Sequence, residues 1–226
     1  MKILNGYCGI GGNSRDWHGC DVTAVELDPK IANLYQRLNP DHHVITGDLG
    51  VYLLNHAHEF DFVWLSPPCP SHSRMILGGK NRRPRYVDMA LWQQILFLQY
   101  QFDGLFCVEN VISYYEPLIA PTAHIGRHAI WANFHIEPFI STIDMFSDES
   151  RVVPSFDEMI KATSMGHKQL WHDWLGIYFD DVIYYDGNHC PNQILRNAVH
   201  PDIGKWVFDH ALMAFMHNQP KQKELL

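Results

Sequence analysis

The sequence predicts an α/β fold: an open, mostly parallel, Rossmann-like sheet flanked by helices. Three observations carry this reading. Strand-like runs and amphipathic helical runs alternate from the N-terminus to Val111. The run FDFVWLS (60–66) is almost continuously apolar, as in a strand buried on both faces. Gly9, Glu26, Asp48, Cys69 and Glu109 all fall at or just past expected strand ends, the edge at which such sheets bind ligands.

Taken in order, KILNGYC (2–8) reads as a strand, and the glycine-rich YCGIGG (7–12) leads into an expected helix. DVTAVELD (21–28) reads as the second strand. In PKIANLYQRLNP (29–40), Pro29 suits a first helical turn, and Ile31, Leu34, Tyr35 and Leu38 share one face. HHVITGD predicts a strand and LGVYLLNHA a helix. After FDFVWLS and a Gly/Pro/Arg loop, DMALWQQILFLQY has helical periodicity and GLFCVENV (104–111) is strand-like. HAIWANFHIEPFI (128–140) predicts one or two further strands, and residues 147–166 are mixed and partly loop. HKQLWHDWLGI (167–177) has helical spacing, ILRNAVHPDIGKWVFDHALMAF (194–215) reads as a turn and a closing helix, and the tail is expected to fray.

Composition bounds the function. The chain has 226 residues, 46% hydrophobic and 19% charged, enough for one substantial core. No apolar run has membrane-spanning length and the N-terminus carries no signal-like stretch, so a soluble cytoplasmic protein without membrane partners is expected. The five cysteines form no CxxC pair, which fits a reducing compartment, and the 15 histidines show no zinc-site spacing, so no metal is expected. The net charge of −8 has the wrong sign for bulk attraction to nucleic acid. Locally, GGKNRRPRY (78–86) gathers Lys80, Arg82, Arg83 and Arg85; on charge alone a solvated loop explains it.

The strand ends carry the chemistry. The loop GIGGNS lacks the GxGxxG dinucleotide pattern, but its glycines allow close backbone approach to a ligand. Glu26 stands where a carboxylate can bind both ribose hydroxyls, and Asp48 where one can accept from an adenine amino group. These imply a nucleoside cofactor. The telling pair is SPPC (66–69) and VEN (108–110), one strand apart.

With these residues in view, the chain resembles the cytosine carbon-5 DNA methyltransferases. NGYCGIGG (5–12) is similar to that family's DLFxGxGG cofactor loop, with Asn5 where the family often has Asp; PPCPSHS (67–73) resembles its PPCxxxS nucleophile motif; ENV (109–111) is its glutamate motif. RNAV (196–199) resembles its late GNxV motif, with Arg196 in place of Gly. HIGRHAIW (124–131) is the poorest match, to QxRxR, with Arg127 as the guanidinium and His128 beside it; Arg151 is the rival placement.

The resemblance implies an S-adenosylmethionine-dependent methyltransferase fold, with residues 1–226 as one catalytic domain. About 140–187 would hold a reduced target-recognition region and the return to the core, and 188–216 the closing motif and helix. It implies S-adenosylmethionine binding by Tyr7, Gly9, Ile10, Gly11, Gly12, Glu26, Leu27, Asp48, Leu49, Pro67, Asn197 and Val199. Cys69, Glu109 and Arg127 would be catalytic, and Ser71, Ser73, Arg74, Lys80, Arg82, Arg83 and Arg85 would contact DNA, the basic stretch now reading as a lid over a flipped base.

The residue types suit that chemistry. A thiolate adding to carbon 6 of cytosine makes carbon 5 nucleophilic, a nearby carboxyl group manages the proton at ring nitrogen 3, and a guanidinium can hold the carbonyl oxygen. Such compact forms resemble those of phages and mobile elements, with short sequence specificity or a separate recognition subunit. The same motifs occur in a tRNA-modifying branch, and a non-catalytic binding module is the third reading. A methylase of exocyclic amino groups would want an aromatic residue where Cys69 stands.

Overall fold

In a computed structural model, residues 1–77, 85–139, 168–184 and 190–218 are described. Seven strands form one sheet: β1 (Lys2–Gly6), β2 (Asp21–Glu26), β3 (His43–Thr46), β4 (Phe62–Leu65), β5 (Leu105–Val111), β6 (Ala123–Ile125) and β7 (His128–Ala132). Their order is β3-β2-β1-β4-β5-β7-β6. The first five are mutually parallel, and β7 runs antiparallel to both β5 and β6. The mostly parallel α/β sheet expected from the sequence is therefore the one observed. Strand order reverses between β1 and β4, which opens a crevice beyond their carboxyl ends.

Alternation along the strands sends side chains to two cores. Leu4, Val63 and Leu65 pack with α2 (Leu49–His56) and α3 (Ala90–Gln101) through Leu53, Trp92, Ile95 and Leu98. Ile3, Phe62 and Trp64 point the other way, against Val207, Phe208 and Ala211 of the closing helix α6 (Pro201–Asn218). On that side α1 (Pro29–Leu38) packs through Ile31 and Leu34 against α4 (Lys168–Leu175) and the short α5 (Gln193–Arg196), with Trp171 fully buried among them. Residues 168–175 thus belong to the core, as their spacing indicates. Asp28 caps α1, accepting from the amide of Lys30 at 2.8 Å, with Pro29 next in line.

The expected helix after the glycine loop is absent. Residues 7–16 instead form successive turns, with Gly11 N–H donating to Cys8 O, Ser14 N–H to Gly11 O and Trp17 N–H to Ser14 O. Two glycines with positive φ, then Gly12, Asn13 and Ser14, offer poor helix propensity, and Asn13 and Ser14 spend their side chains on local hydrogen bonds. The sheet face left uncovered is taken by Trp17 and α6: the Trp17 ring stacks on Phe208 with centroids 5.5 Å apart, and its Nε1 donates to Gly204 O. Of the one or two strands expected in 128–140, one forms, β7; residues 133–139 have no regular structure, and residue 140 lies outside the described residues. No described helix is long and apolar enough to cross a membrane.

Candidate active site

The glycine loop leaves β1 at the switch point. Tyr7, a non-glycine residue, sits at φ 56, and its hydroxyl accepts from Gln94 Nε2 at 2.6 Å. Gly9 N–H donates to Glu26 Oε2 at 3.0 Å, and Asp28 N–H to Glu26 Oε1 at 3.1 Å, so the carboxylate is fixed by one amide on each oxygen. Burial raises the Glu26 pKa, and those backbone donors pull it part of the way back. A carboxylate accepts only, with about four lone-pair sites, so the remaining sites suit donors such as ribose hydroxyls. A Cβ built on Gly9 would meet nothing within 4 Å, so space stands open beside Glu26. Leu27 is 67% exposed next to it, an apolar surface for a flat base. These features fit the ribose and base of a nucleoside.

Other cofactor positions are spent differently. Asp48 is exposed and uses Oδ1 to cap α2, accepting from Val51 N–H at 3.0 Å. Leu49 is buried against Gly6, where a Cβ would lie 2.4 Å from its Cδ2. The Ile10 side chain is packed among Ile31, Leu34, Trp171 and Ile194, so its backbone is the part left to a ligand. Beneath the loop Asn5, fully buried, accepts from Asn13 Nδ2 at 2.8 Å, and Ser14 Oγ meets Tyr35 Oη at 2.9 Å. A neutral amide suits that dry site better than an ionised acid would.

The late motif closes onto this loop. Gly12 packs so tightly on Val199 that a Cβ there would lie 2.3 Å from the Val199 carbonyl oxygen. Arg196 is the last helical residue of α5 and is not among the residues with positive φ, so no glycine is required there. The Asn197 side chain is exposed and accepts from Gln193 Nε2 at 2.5 Å.

Cys69 lies just past β4 on a loop stiffened by Pro67, Pro68 and Pro70. Asn110 Nδ2 donates to Pro67 O at 2.9 Å, tying that loop to β5. His72 and Ser73 amides both donate to Cys69 O at 3.0 Å, making a tight turn. His72 is buried, with Nδ1 2.6 Å from Tyr115 Oη, and Ser73 bridges to Ser113. Ser71 Oγ accepts from Asp88 N–H, fastening the far end of the basic segment.

Antiparallel β7 completes the crevice. Its first residue, His128, pairs with Val111, and Ile130 pairs with Glu109, so His128 and Glu109 are diagonal neighbours on one face. Their side chains meet at 2.6 Å, Nδ1 to Oε1, both nearly inaccessible. Burial alone would raise the Glu109 pKa, but His128, Arg127 and a hydrogen bond from Ser66 outweigh it and hold the carboxyl below its usual range. Arg127, on the β6–β7 turn, donates to Arg196 O at 3.0 Å. Burial and the charge of Glu109 push the Cys69 thiol up, with Arg127 opposing them. The three residues expected to be catalytic thus share one electrostatic environment.

Arg74 and Arg85 are exposed at either side of the basic segment; Lys80, Arg82, Arg83 and Arg151 lie outside the described residues, as do residues 140–167 of the expected recognition region. Among the described residues, no group of three His, Cys, Asp or Glu side chains could hold a metal ion. Sequence reasoning assigned no role to His128, His72 or Gln94. Only His128 carried a signal, a histidine entering a strand beside an expected arginine.

No protein-family model and no curated protein matches the chain. Among solved structures, a hypothetical protein of Thermus thermophilus is 18% identical over 58% of this chain and 73% of that one, with a TM-score of 0.42. A DNMT2 from Spodoptera frugiperda is 21% identical over 49% of this chain, at a TM-score of 0.35; the match covers 35% of that protein. A TehB-like SAM-dependent methyltransferase from Corynebacterium glutamicum is 20% identical, with a TM-score of 0.32, and the match covers 49% of this chain and 54% of that one.

Proposed function

We propose that this chain is an S-adenosylmethionine-dependent methyltransferase acting on carbon 5 of cytosine in DNA, through a covalent bond from Cys69 to carbon 6. One observation carries the reading. A thiol, a buried carboxyl group and a guanidinium influence one another at the carboxyl ends of β4 and β5, on the same sheet edge as the amide-held Glu26 carboxylate at the end of β2.

The directions of the shifts support one proton inventory. In the free protein the Cys69 thiol is raised and so protonated near neutral pH, while Glu109 is lowered and so ionised. Adding the sulfur to carbon 6 breaks the S–H bond, forms a bond from sulfur to carbon 6 and puts electron density on nitrogen 3. Glu109 can take the thiol proton and deliver it to that nitrogen, so the adduct forms with no net charge gained in the crevice. Arg127 supports the base's carbonyl oxygen, and the Asn110 to Pro67 bond keeps the sulfur at the right height.

Glu26, with the open side of Gly9 and exposed Leu27, would hold the nucleoside part of S-adenosylmethionine, which when bound supplies an electrophilic methyl group. After transfer, a base removes the carbon-5 proton, and the freed electron pair forms the double bond between carbons 5 and 6. The sulfur leaves with the electrons of its bond to carbon 6, and the nitrogen-3 proton returns through Glu109 to restore the thiol. Cytosine inside a duplex must be extruded to meet Cys69, and the exposed Arg74 and Arg85 would contact phosphates as it is. Sequence selection is expected to be short or to rest on another subunit.

The test offers tritiated S-adenosylmethionine with duplex DNA, single-stranded DNA and tRNA, for wild type and Cys69→Ala. Label in DNA 5-methylcytosine, lost in the variant, and a stable adduct on 5-fluorocytosine duplexes are expected. Label confined to tRNA would move the substrate to RNA, and methylation by Cys69→Ala would exclude the thiolate route.

A further inference from the structure

We propose that His128 is a positioning residue for the reacting carboxyl group: it claims Oε1 of Glu109 and so commits Oε2 to the ring nitrogen of the target base. The inference rests on the functional reading above and adds to it a residue outside the thiol, acid and guanidinium set.

The argument starts from the strands. Because β7 is antiparallel to β5 and in the register that pairs His128 with Val111, the imidazole has only the diagonal position beside Glu109 to occupy on that face. Both side chains are less than a tenth accessible, so the contact is not a surface ion pair exchanging with water. Glu109 is held ionised, and a carboxylate only accepts; the hydrogen of the 2.6 Å contact therefore sits on Nδ1 of His128. A second donor works from below. Trp64 Nε1–H donates to Ser66 Oγ at 2.8 Å, so the Ser66 hydroxyl is left to donate its own hydrogen, and it does so to Glu109.

Among the described residues, the groups that act on this carboxyl have defined places, with Cys107 two residues before it on β5. His128 comes from the start of β7, Arg127 from the turn before it, Ser66 and Cys69 from the loop after β4. Arg127 is itself tied to Arg196 O of α5 and acts on the carboxyl group through its charge. The imidazole is the rigid, planar donor with a defined target, Oε1, and together with Ser66 it sets the plane's rotation. A carboxyl group free to turn about its last bond would present either oxygen to the base, and a misplacement of about 1 Å at a reacting atom can cost roughly 100-fold in rate.

The experiment compares wild type, His128→Ala and His128→Asn. Asparagine keeps an N–H near the position of Nδ1, whereas alanine removes it. Adduct formation on 5-fluorocytosine duplex DNA is measured in single turnover, with DNA affinity measured separately. Alanine is expected to slow the adduct step about 100-fold with DNA affinity nearly unchanged, and asparagine to recover most of the rate. In ligand-free protein, a far-downfield imidazole N–H proton resonance is expected in wild type, absent from His128→Ala and shifted upfield in Glu109→Gln, whose neutral carbonyl accepts more weakly. Alanine within about threefold of wild type, asparagine as slow as alanine while folded, or no such resonance would each overturn the proposal. If wild type forms no adduct on any cytosine substrate, the functional reading itself falls and takes the role of His128 with it, an outcome distinct from a fully active His128→Ala.

Discussion

Gly12 and Val199 touch backbone to backbone: no Cβ fits on Gly12, because it would lie 2.3 Å from the Val199 carbonyl oxygen and 3.1 Å from the Ala198 Cβ. Since the obstructing atom is main chain, a neighbouring rotamer cannot relieve the clash. Gly12→Ala is therefore expected to push α5 and the following turn off the cofactor loop. Overpacking of this kind costs about 1–3 kcal/mol. Urea unfolding should show that loss, and calorimetry should show weaker S-adenosylmethionine binding. A wild-type midpoint in the variant would mean that the late motif does not depend on this contact.

Asn110 works across the crevice from that seam. Its Nδ2 donates to Pro67 O, and its Oδ1 accepts from Val111 N–H at 2.9 Å. In Asn110→Ala the Pro67 carbonyl loses its buried donor, a cost of about 1–3 kcal/mol. The proline-stiffened turn then loses its tether to β5, and Cys69 with it. Adduct formation on fluorinated DNA is expected to fall at least tenfold, while S-adenosylmethionine affinity, set at Glu26, stays at the wild-type level. A parallel loss of both would show that Asn110 supports the fold rather than the thiol.

The sheet was readable because each strand and helix there is locally consistent: FVWL is apolar on both faces, and Asp28 with Pro29 starts a helix as written. Cys69, Glu109 and Arg127 were readable as residues, yet what joins them was not. The meeting of His128 with Glu109 depends on β7 running antiparallel, a long-range pairing with no local signature. The missing helix after Gly12 was hidden for a related reason. A strand–glycine–helix unit was the natural expectation, but Trp17 and α6 cover that face from the other end of the chain. His72 sat in the motif itself, and only the fold brings Tyr115 to it.

Charge acts on the Cys69 thiol from two sides with opposite sign: Glu109 raises its pKa and Arg127 lowers it. Glu109→Gln should therefore make Cys69 more reactive to iodoacetamide at a fixed mildly alkaline pH, and Arg127→Gln less reactive. One pKa unit changes the thiolate fraction about tenfold well below the pKa. Glutamine can still accept from His128 through its carbonyl oxygen, so the strand pair survives the first change. Peptide mapping separates Cys69 from Cys20 and Cys190, which are also partly accessible. Glu109→Gln is thus expected to gain alkylation and lose methyl transfer together. Equal alkylation rates in all three proteins would place the sulfur outside the influence of both groups.

Glu26 should show the reverse linkage from Glu109. Its folded pKa is raised by burial, so its contribution to stability is fully present below the unfolded value and is lost as pH rises through the folded one. For Glu109, lowered in the fold, the contribution is present above the unfolded value and lost as pH falls through the folded one. The ionised form of Glu26 that weakens the fold is the form that can accept from two hydroxyls, at about 1.5–3 kcal/mol for each hydrogen bond to a charged group. S-adenosylmethionine affinity is therefore expected to rise with pH above the ordinary glutamate range, while the stability gap between wild type and Glu26→Gln narrows. In Glu26→Gln the affinity should drop about 100-fold or more, a loss of at least one such bond, and lose that pH dependence. Calorimetric titration at a series of pH values measures both proteins. Binding by wild type that is flat with pH, or undiminished in Glu26→Gln, would remove Glu26 from the cofactor site.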